Sequence, residues 1–249
     1  GLNCYFATNL LPRPGVMERL TPDYVLSLIV HGALRSVYSD SQWNSFQRHL
    51  EQVKNQGVKV ALRINFYTQG QDWEHLFGLA ERLGIDEFQL AMAFPGSAEK
   101  NAYVAVDNLQ KMIPDIVTFM QACAERNWRT VFSKPLPPCL FPEAMQMRLL
   151  TEQQWSPMCS VGADGYTHNA CVSPTGEVSP CLSLLHHKLA FQQIKHWDDL
   201  SKYCREQIVP VLHAPAFERC HTCFLFARKL CQGLCLGHKS NPSLKVACR

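Results

Sequence analysis

Short apolar runs alternate with helical periodicities over the first 140 or so residues, and this alternation restricts the fold more than any other feature. Strand candidates are residues 4–8, 33–38, 58–67, 88–94 and 128–133. A helix is expected from about Thr21, where Thr21-Pro22 has the form of an N-cap followed by proline at the first helical position. A second runs from Ser39 or Asp40 to about Gln56, with Trp43, Phe46, Leu50 and Val53 at helical spacing and Gly57 as its stop. A third covers residues 72–83 and stops at Gly84, and two further pieces, broken at Pro114, cover about 104–126. Strands that alternate with helices imply parallel pairing through helical crossovers. The run VKVALRINFY at 58–67 is almost continuously apolar, as expected of a strand covered on both faces. Five such units make either an open doubly wound sheet or part of a (β/α) barrel, and periodicity does not choose between them.

Several classes are excluded by composition. The 249-residue chain is 47% hydrophobic and 18% charged, which rules out global disorder. No apolar run approaches the roughly 20 residues of a membrane-spanning helix. Against 21 Asp and Glu stand 24 Lys and Arg, a net charge of +3 that is too mild to imply nucleic-acid or membrane binding by charge alone. Gly-x-Gly-x-x-Gly, Walker-type and Gly-x-Ser-x-Gly sequences are all missing, so nucleotide-phosphate and serine-hydrolase readings have no basis here. Asp72/Glu74 and Asp198/Asp199 are carboxylate pairs at expected helix starts, where acids favour the dipole.

The pattern changes at Lys134-Pro135-Leu136-Pro137-Pro138-Cys139, which reads as a linker. A helix is expected at about 142–154, a hairpin at 172–179 around Pro174-Thr175-Gly176, and a helix at about 197–209. Nine of the chain's 12 cysteines lie from Cys159 onward. No secretory leader is visible, and such clustering favours metal over disulfides. Cys220-x2-Cys223-x7-Cys231-x3-Cys235 is the strongest local signal, because two intervening residues let both thiolates reach one centre. Soft thiolates take zinc or iron–sulfur clusters. Adding Cys159, Cys171, Cys181 and Cys248 makes eight, enough for two four-cysteine sites. Cys4, Cys123 and Cys204 fall inside predicted strands or helices and read as small buried hydrophobes. His186, His187 and His221 flank the region as surface or supporting groups.

Cys171-x4-Gly176-x4-Cys181, followed by the Cys220–Cys235 quartet and Cys248, resembles the SPASM domain that follows the barrel of many radical S-adenosylmethionine (SAM) enzymes. The quartet's inner spacing is seven where that pattern has five. The resemblance implies a partial (β/α) barrel over residues 1–138, the C-terminal portion of a radical SAM barrel. A small cysteine-rich α+β domain would follow over 139–249, and Gly176 would be the turn residue of its hairpin. Two auxiliary [4Fe–4S] clusters are implied: one on Cys159, Cys171, Cys181 and Cys235, with Cys139 as a substitute for Cys159 or Cys171, the other on Cys220, Cys223, Cys231 and Cys248. Thr8-Asn9 is similar to the start of the Thr-Asn-Gly-like turn that closes the family's third strand, so the chain is expected to begin within the barrel. The family's Cys-x3-Cys-x2-Cys loop, whose cluster cleaves SAM, has no counterpart in these residues. The chain alone is therefore expected to lack radical initiation.

Ligands bind at the carboxyl ends of strands in such folds, which makes Ser36, Ser39, Arg63, Asn65 and Gln89 the candidate SAM contacts. Arg63 interrupts an apolar strand and needs a buried acceptor, for which a carboxylate would serve. Ser36 and Ser39 read equally as helix-capping residues, and Gln89 as a satisfied core amide. The resemblance further implies a cytoplasmic oxidoreductase with a peptide or protein substrate and an electron donor such as flavodoxin or ferredoxin. The competing readings are a non-catalytic zinc-ribbon-type interaction protein and a secreted disulfide-rich protein.

Overall fold

The computed structural model describes residues 4–11, 15–93, 104–151, 159, 161–167, 170–173, 175–184 and 186–239. Five strands form one sheet: β1 (Cys4–Thr8), β2 (Val25–Gly32), β3 (Val60–Phe66), β4 (Glu87–Met92) and β5 (Arg129–Phe132). Their order in the sheet is their order in the chain. Val30 lies opposite Thr8 on one side and Leu62 on the other, in parallel ladders. Helices α1 (Asp40–Asn55), α2 (Glu74–Leu83) and α3 (Leu109–Glu125) fill the crossovers. A doubly wound sheet reverses its strand order at a switch point. No reversal occurs here, and right-handed crossovers in sequential order all fall on one face. The sheet is therefore an arc of barrel wall, which resolves the choice left open by periodicity.

Two compact units divide the chain, one of Gly1–Ala91 and Pro114–Val131, the other of Met92–Ile113 and Phe132–Arg249. In the first, Phe46, Leu50 and Val53 form the fully buried stripe of α1, and Leu62, Ile64 and Phe66 the buried face of β3. Each such side chain contributes about 1.5–3 kcal/mol relative to an exposed one. Phe119 of α3 meets Phe66, Phe77 and Phe88 with ring centroids 5.8, 4.9 and 5.5 Å apart. Gly32 ends β2 where a Cβ would come within 2.5 Å of Leu76 Cδ1, so α2 packs directly on strand backbone.

Three elements differ from the sequence expectation. The second strand is residues 25–32, and residues 33–38 are a connection containing a 3-10 turn at Arg35–Val37. Nothing helical follows Thr21; residues 22–24 form a turn that leads straight into β2. The β-branched, alternately buried run Val25–Gly32 outweighs the capping signal of Thr21-Pro22. Thirdly, α3 passes through Pro114 without a break. Buried Ile113, Ile116, Phe119, Met120 and Cys123 hold it against a proline cost of about 3 kcal/mol.

In the second unit, α4 (Glu143–Thr151) precedes a small antiparallel sheet of β6 (Cys171–Val172), β7 (Glu177–Ser179) and β8 (Leu189–Ala190). Gly176 closes the β6–β7 turn with φ +76°, a backbone region closed to most side chains. Pro174 and Cys248 lie outside the described residues. Helix α5 (Trp197–Tyr203) runs through a π turn at Cys204–Ile208 into α6 (Val209–Leu212), and α7 (Phe224–Ala227) and α8 (Leu236–Lys239) follow. Val161, Val178, Leu184, Leu200, Cys204, Ile208, Leu212 and Leu236 form the core. The proline-rich segment is no exposed connector: residues 135–138 are buried and lead into a 3-10 turn at Pro138–Leu140. Burying these prolines leaves no N–H of theirs in need of a partner.

Candidate functional site

Side chains alternate across a strand, so burying Leu62, Ile64 and Phe66 turns Arg63 and Asn65 to the opposite face of β3. His31, directly opposite Arg63 in the ladder, shares that face. Arg63 Nη2 donates to Gln89 Oε1 at 2.7 Å. Asn65 Nδ2 lies 3.5 Å from His31 Nδ1. Within the protein the acceptor for Arg63 is thus the Gln89 amide. Arg63 Nε remains buried with no partner among the described residues. An anionic group such as the carboxylate of an amino-acid moiety fits that orphan donor. Burial and then the Arg63 charge hold His31 below the usual histidine range, so its imidazole is neutral at pH 7.

Ser39 is the N-cap of α1. Its hydroxyl accepts from the Gln42 backbone amide at 3.2 Å, and Gln42 Oε1 accepts from the Ser39 amide at 2.9 Å. Ser36 is exposed in the turn beyond β2. Both serines therefore sit past the strand end that was expected to carry them. His31 was missed at the sequence level because residues 25–32 were read as helix; alternation across that run would have placed it beside Arg63. The turn after β1 is closed by the side chains of Thr8 and Asn9. The Leu10 amide donates to Thr8 Oγ1 at 3.0 Å and the Leu11 amide to Asn9 Oδ1 at 3.2 Å, with Leu10 itself at φ +52°.

In the second unit the cysteines separate into two groups. Cys139, Cys220, Cys223 and Cys231 line one cavity of about 280 Å³ together with Pro138 and Arg219. Cys231 is pushed up to about 11 by burial, with the neighbouring Cys139, Cys220 and Cys223 adding to the shift and the Gly233 amide opposing it. The other group is Cys159, Cys181 and Cys235. Cys235 is pushed up to about 12 by burial, with Cys159 and Cys181 adding and the Lys134 ammonium opposing. Lys134 Nζ lies 3.8 Å from Cys181 Sγ. Gln232, buried between Cys231 and Gly233, accepts from the Cys159 amide at 2.7 Å and donates to the Val161 carbonyl oxygen at 3.4 Å. It anchors the Cys159 segment beside the quartet. Cys171 sits on β6 opposite Ser179. Cys204 is fully buried in the core, as expected of a small hydrophobe. Lys239, which no sequence signal marked, is held near about 8 chiefly by burial, its ammonium donating to the Leu212 and Ala214 carbonyl oxygens at 2.7 Å each.

No disulfide joins Cys139, Cys181, Cys220, Cys223, Cys231 or Cys235. Among the described residues, no three His, Cys, Asp or Glu side chains converge closely enough to ligate a single ion. A tetrahedral zinc needs such convergence. A cubane cluster takes one thiolate on each iron, so its thiols stand around a volume, as the four cysteines around the cavity do. The four thiols around the cavity are a soft donor set of the kind that zinc or an iron–sulfur cluster takes. Among the described residues, no helix is long and apolar enough to cross a membrane.

A sequential parallel β/α arc, continued by a small antiparallel sheet within a cysteine-rich unit, defines a radical SAM SPASM-like fold. Solved structures bear this out. SuiB of Streptococcus suis superposes with a TM-score of 0.58 at 14% identity, covering 93% of this chain and 55% of that one. Native anSMEcpe with bound AdoMet gives a TM-score of 0.62 at 13% identity, covering 94% of this chain and 65% of that one. SuiB bound to the precursor peptide SuiA gives 0.56 at 14% identity, covering 93% and 54%. The chain thus spans less than two thirds of the length of these proteins. No protein-family profile and no curated protein sequence matches it.

Proposed function

We propose that the chain is the barrel-arc and auxiliary-cluster portion, about residues 1–138 and 139–249, of a radical SAM enzyme that modifies a peptide or protein. The observation that carries the reading is the parting of the cysteines into two groups, within a fold shared with SuiB and anSMEcpe. One of those proteins was solved with AdoMet and a peptide together, the other with its precursor peptide.

In this reading Cys159, Cys171, Cys181 and Cys235 hold one [4Fe–4S] cluster, and Cys220, Cys223 and Cys231 supply three ligands of the other. When bound, SAM and the clusters supply a radical that abstracts hydrogen from the substrate and a path for the electron then released. This chain's own residues bind and orient. Arg63, held by Gln89, presents its unpartnered Nε–H to a carboxylate. Asn65 and neutral His31 offer hydrogen bonds beside it at the carboxyl half of β2 and β3, while Ser36 lies at the rim and Ser39 is committed to its cap. Lys134 places its ammonium 3.8 Å from the Cys181 sulfur. Cofactor cleavage belongs to a Cys-x3-Cys-x2-Cys loop not contained in these 249 residues. Electrons would come from a small carrier such as flavodoxin or ferredoxin.

The test is iron and acid-labile sulfide content after anaerobic reconstitution, read with the visible charge-transfer absorption. About eight iron and eight sulfide per chain are expected for two cubanes. One or two zinc ions without sulfide would overturn the reading in favour of a zinc-ribbon protein.

A further inference from the structure

The resemblance assigns the second cluster's last ligand to Cys248, at the far end of the sequence. The geometry points to a different residue: we infer that Cys139 completes the Cys220, Cys223 and Cys231 set as the fourth thiolate. This rests on the two-cluster reading above.

Three observations support Cys139. First, it lines the same cavity as the other three cysteines. Second, its approach is fixed by backbone. Cys139 is the middle residue of the 3-10 turn Pro138–Leu140, entered through buried Pro137 at φ −65° and Pro138. Proline presets φ, so this segment gives up little freedom when its thiol is bound. Gln110 Nε2 donates to the Leu140 carbonyl oxygen at 3.1 Å and holds the far side of the turn. Third, the turn is tied to the partner segment. Arg219, immediately before Cys220, donates from Nη1 to the Cys139 carbonyl oxygen at 3.2 Å, across 80 residues of sequence. That bond engages the carbonyl oxygen of Cys139 and not its sulfur, and sets the two cysteines around one space.

Ligation replaces the thiol proton with an Fe–S bond. The proton leaves to solvent, iron and sulfide come from the reconstitution mixture, and no electron is transferred to the thiol. Neither the spacing of the quartet nor the proline-rich segment reveals this pairing, because only the fold brings the two together.

The experiment reconstitutes the 249-residue chain with equal ferrous and ferric iron and with sulfide, which supplies the oxidation level of the resting cubane, then maps thiols with iodoacetamide by mass spectrometry. In the loaded protein Cys139 should be protected together with Cys220, Cys223 and Cys231, and in the unloaded protein it should alkylate. Cys139→Ala should lose about half of the roughly eight irons, or show the paramagnetic signal of a three-iron cluster, while Cys248→Ala keeps the full complement. Full iron in a folded Cys139→Ala variant, or alkylation of Cys139 in the loaded protein, overturns the assignment and leaves the two-cluster reading standing. Wild-type chain that takes up no iron and sulfide overturns both. If Cys139→Ala does not fold, the alkylation map on the unmutated chain decides.

Discussion

Arg63 and Gln89 show how one side chain sets the electrostatics of a face. A half-buried guanidinium is tolerated because an amide oxygen meets one of its nitrogens. Gln89→Leu removes that acceptor and leaves the charge facing an apolar group. Chemical denaturation should report a loss of about 1–3 kcal/mol; an unchanged midpoint would mean water already serves the guanidinium. His31 gives a pH dependence of definite sign. Its folded-state pKa lies below the unfolded value of about 6.5, so below that pH the unfolded chain binds more protons. The corresponding stability is intact above about pH 6.5 and is lost as pH falls through the folded value. Burial lowers His75, His187, His213 and His238 in the same direction, so His31→Asn should flatten the slope between pH 7 and 5 only in part. A steeper slope in the variant would contradict the burial argument.

Among the elements, α1 was legible in the sequence because its signals agree: a cap at Ser39 or Asp40, then Phe46, Leu50 and Val53 on one face. Ser39→Ala should cost about 1 kcal/mol in thermal unfolding, while Ser36→Ala in the exposed turn should cost nothing measurable. Equal effects would remove the distinction drawn between the two serines. β2 was misread because a local capping signal conflicted with the alternation that follows it, and the sheet decides such conflicts through burial on one face. α3 likewise kept its length through Pro114 because packing outweighs a single lost backbone bond. The hairpin at Gly176 was legible because glycine at a turn has a single physical reason to be there.

For the molecule as a whole, the division into two compact units predicts two thermal transitions. Loading with iron and sulfide should raise one of them, that of the unit carrying Cys139, Cys159, Cys181 and the quartet, because a group that binds only the folded form stabilises it. A single transition, or an equal rise in both, would contradict that division of labour. The fold class and the cysteine inventory could be read from the chain, since periodicity and spacing are local properties. The sorting of the cysteines into groups could not, because Cys139 meets Cys220 only after long stretches of chain have packed. The sequential strand order also governs how the protein behaves in the tube. Among the described residues the arc has two rims, β1 and β5, each with a line of amide and carbonyl groups that the sheet itself leaves unused. Such rims are adhesive towards other extended chains. Colloidal behaviour should therefore be set at these margins, with turbidity growing with concentration unless another strand is laid along them.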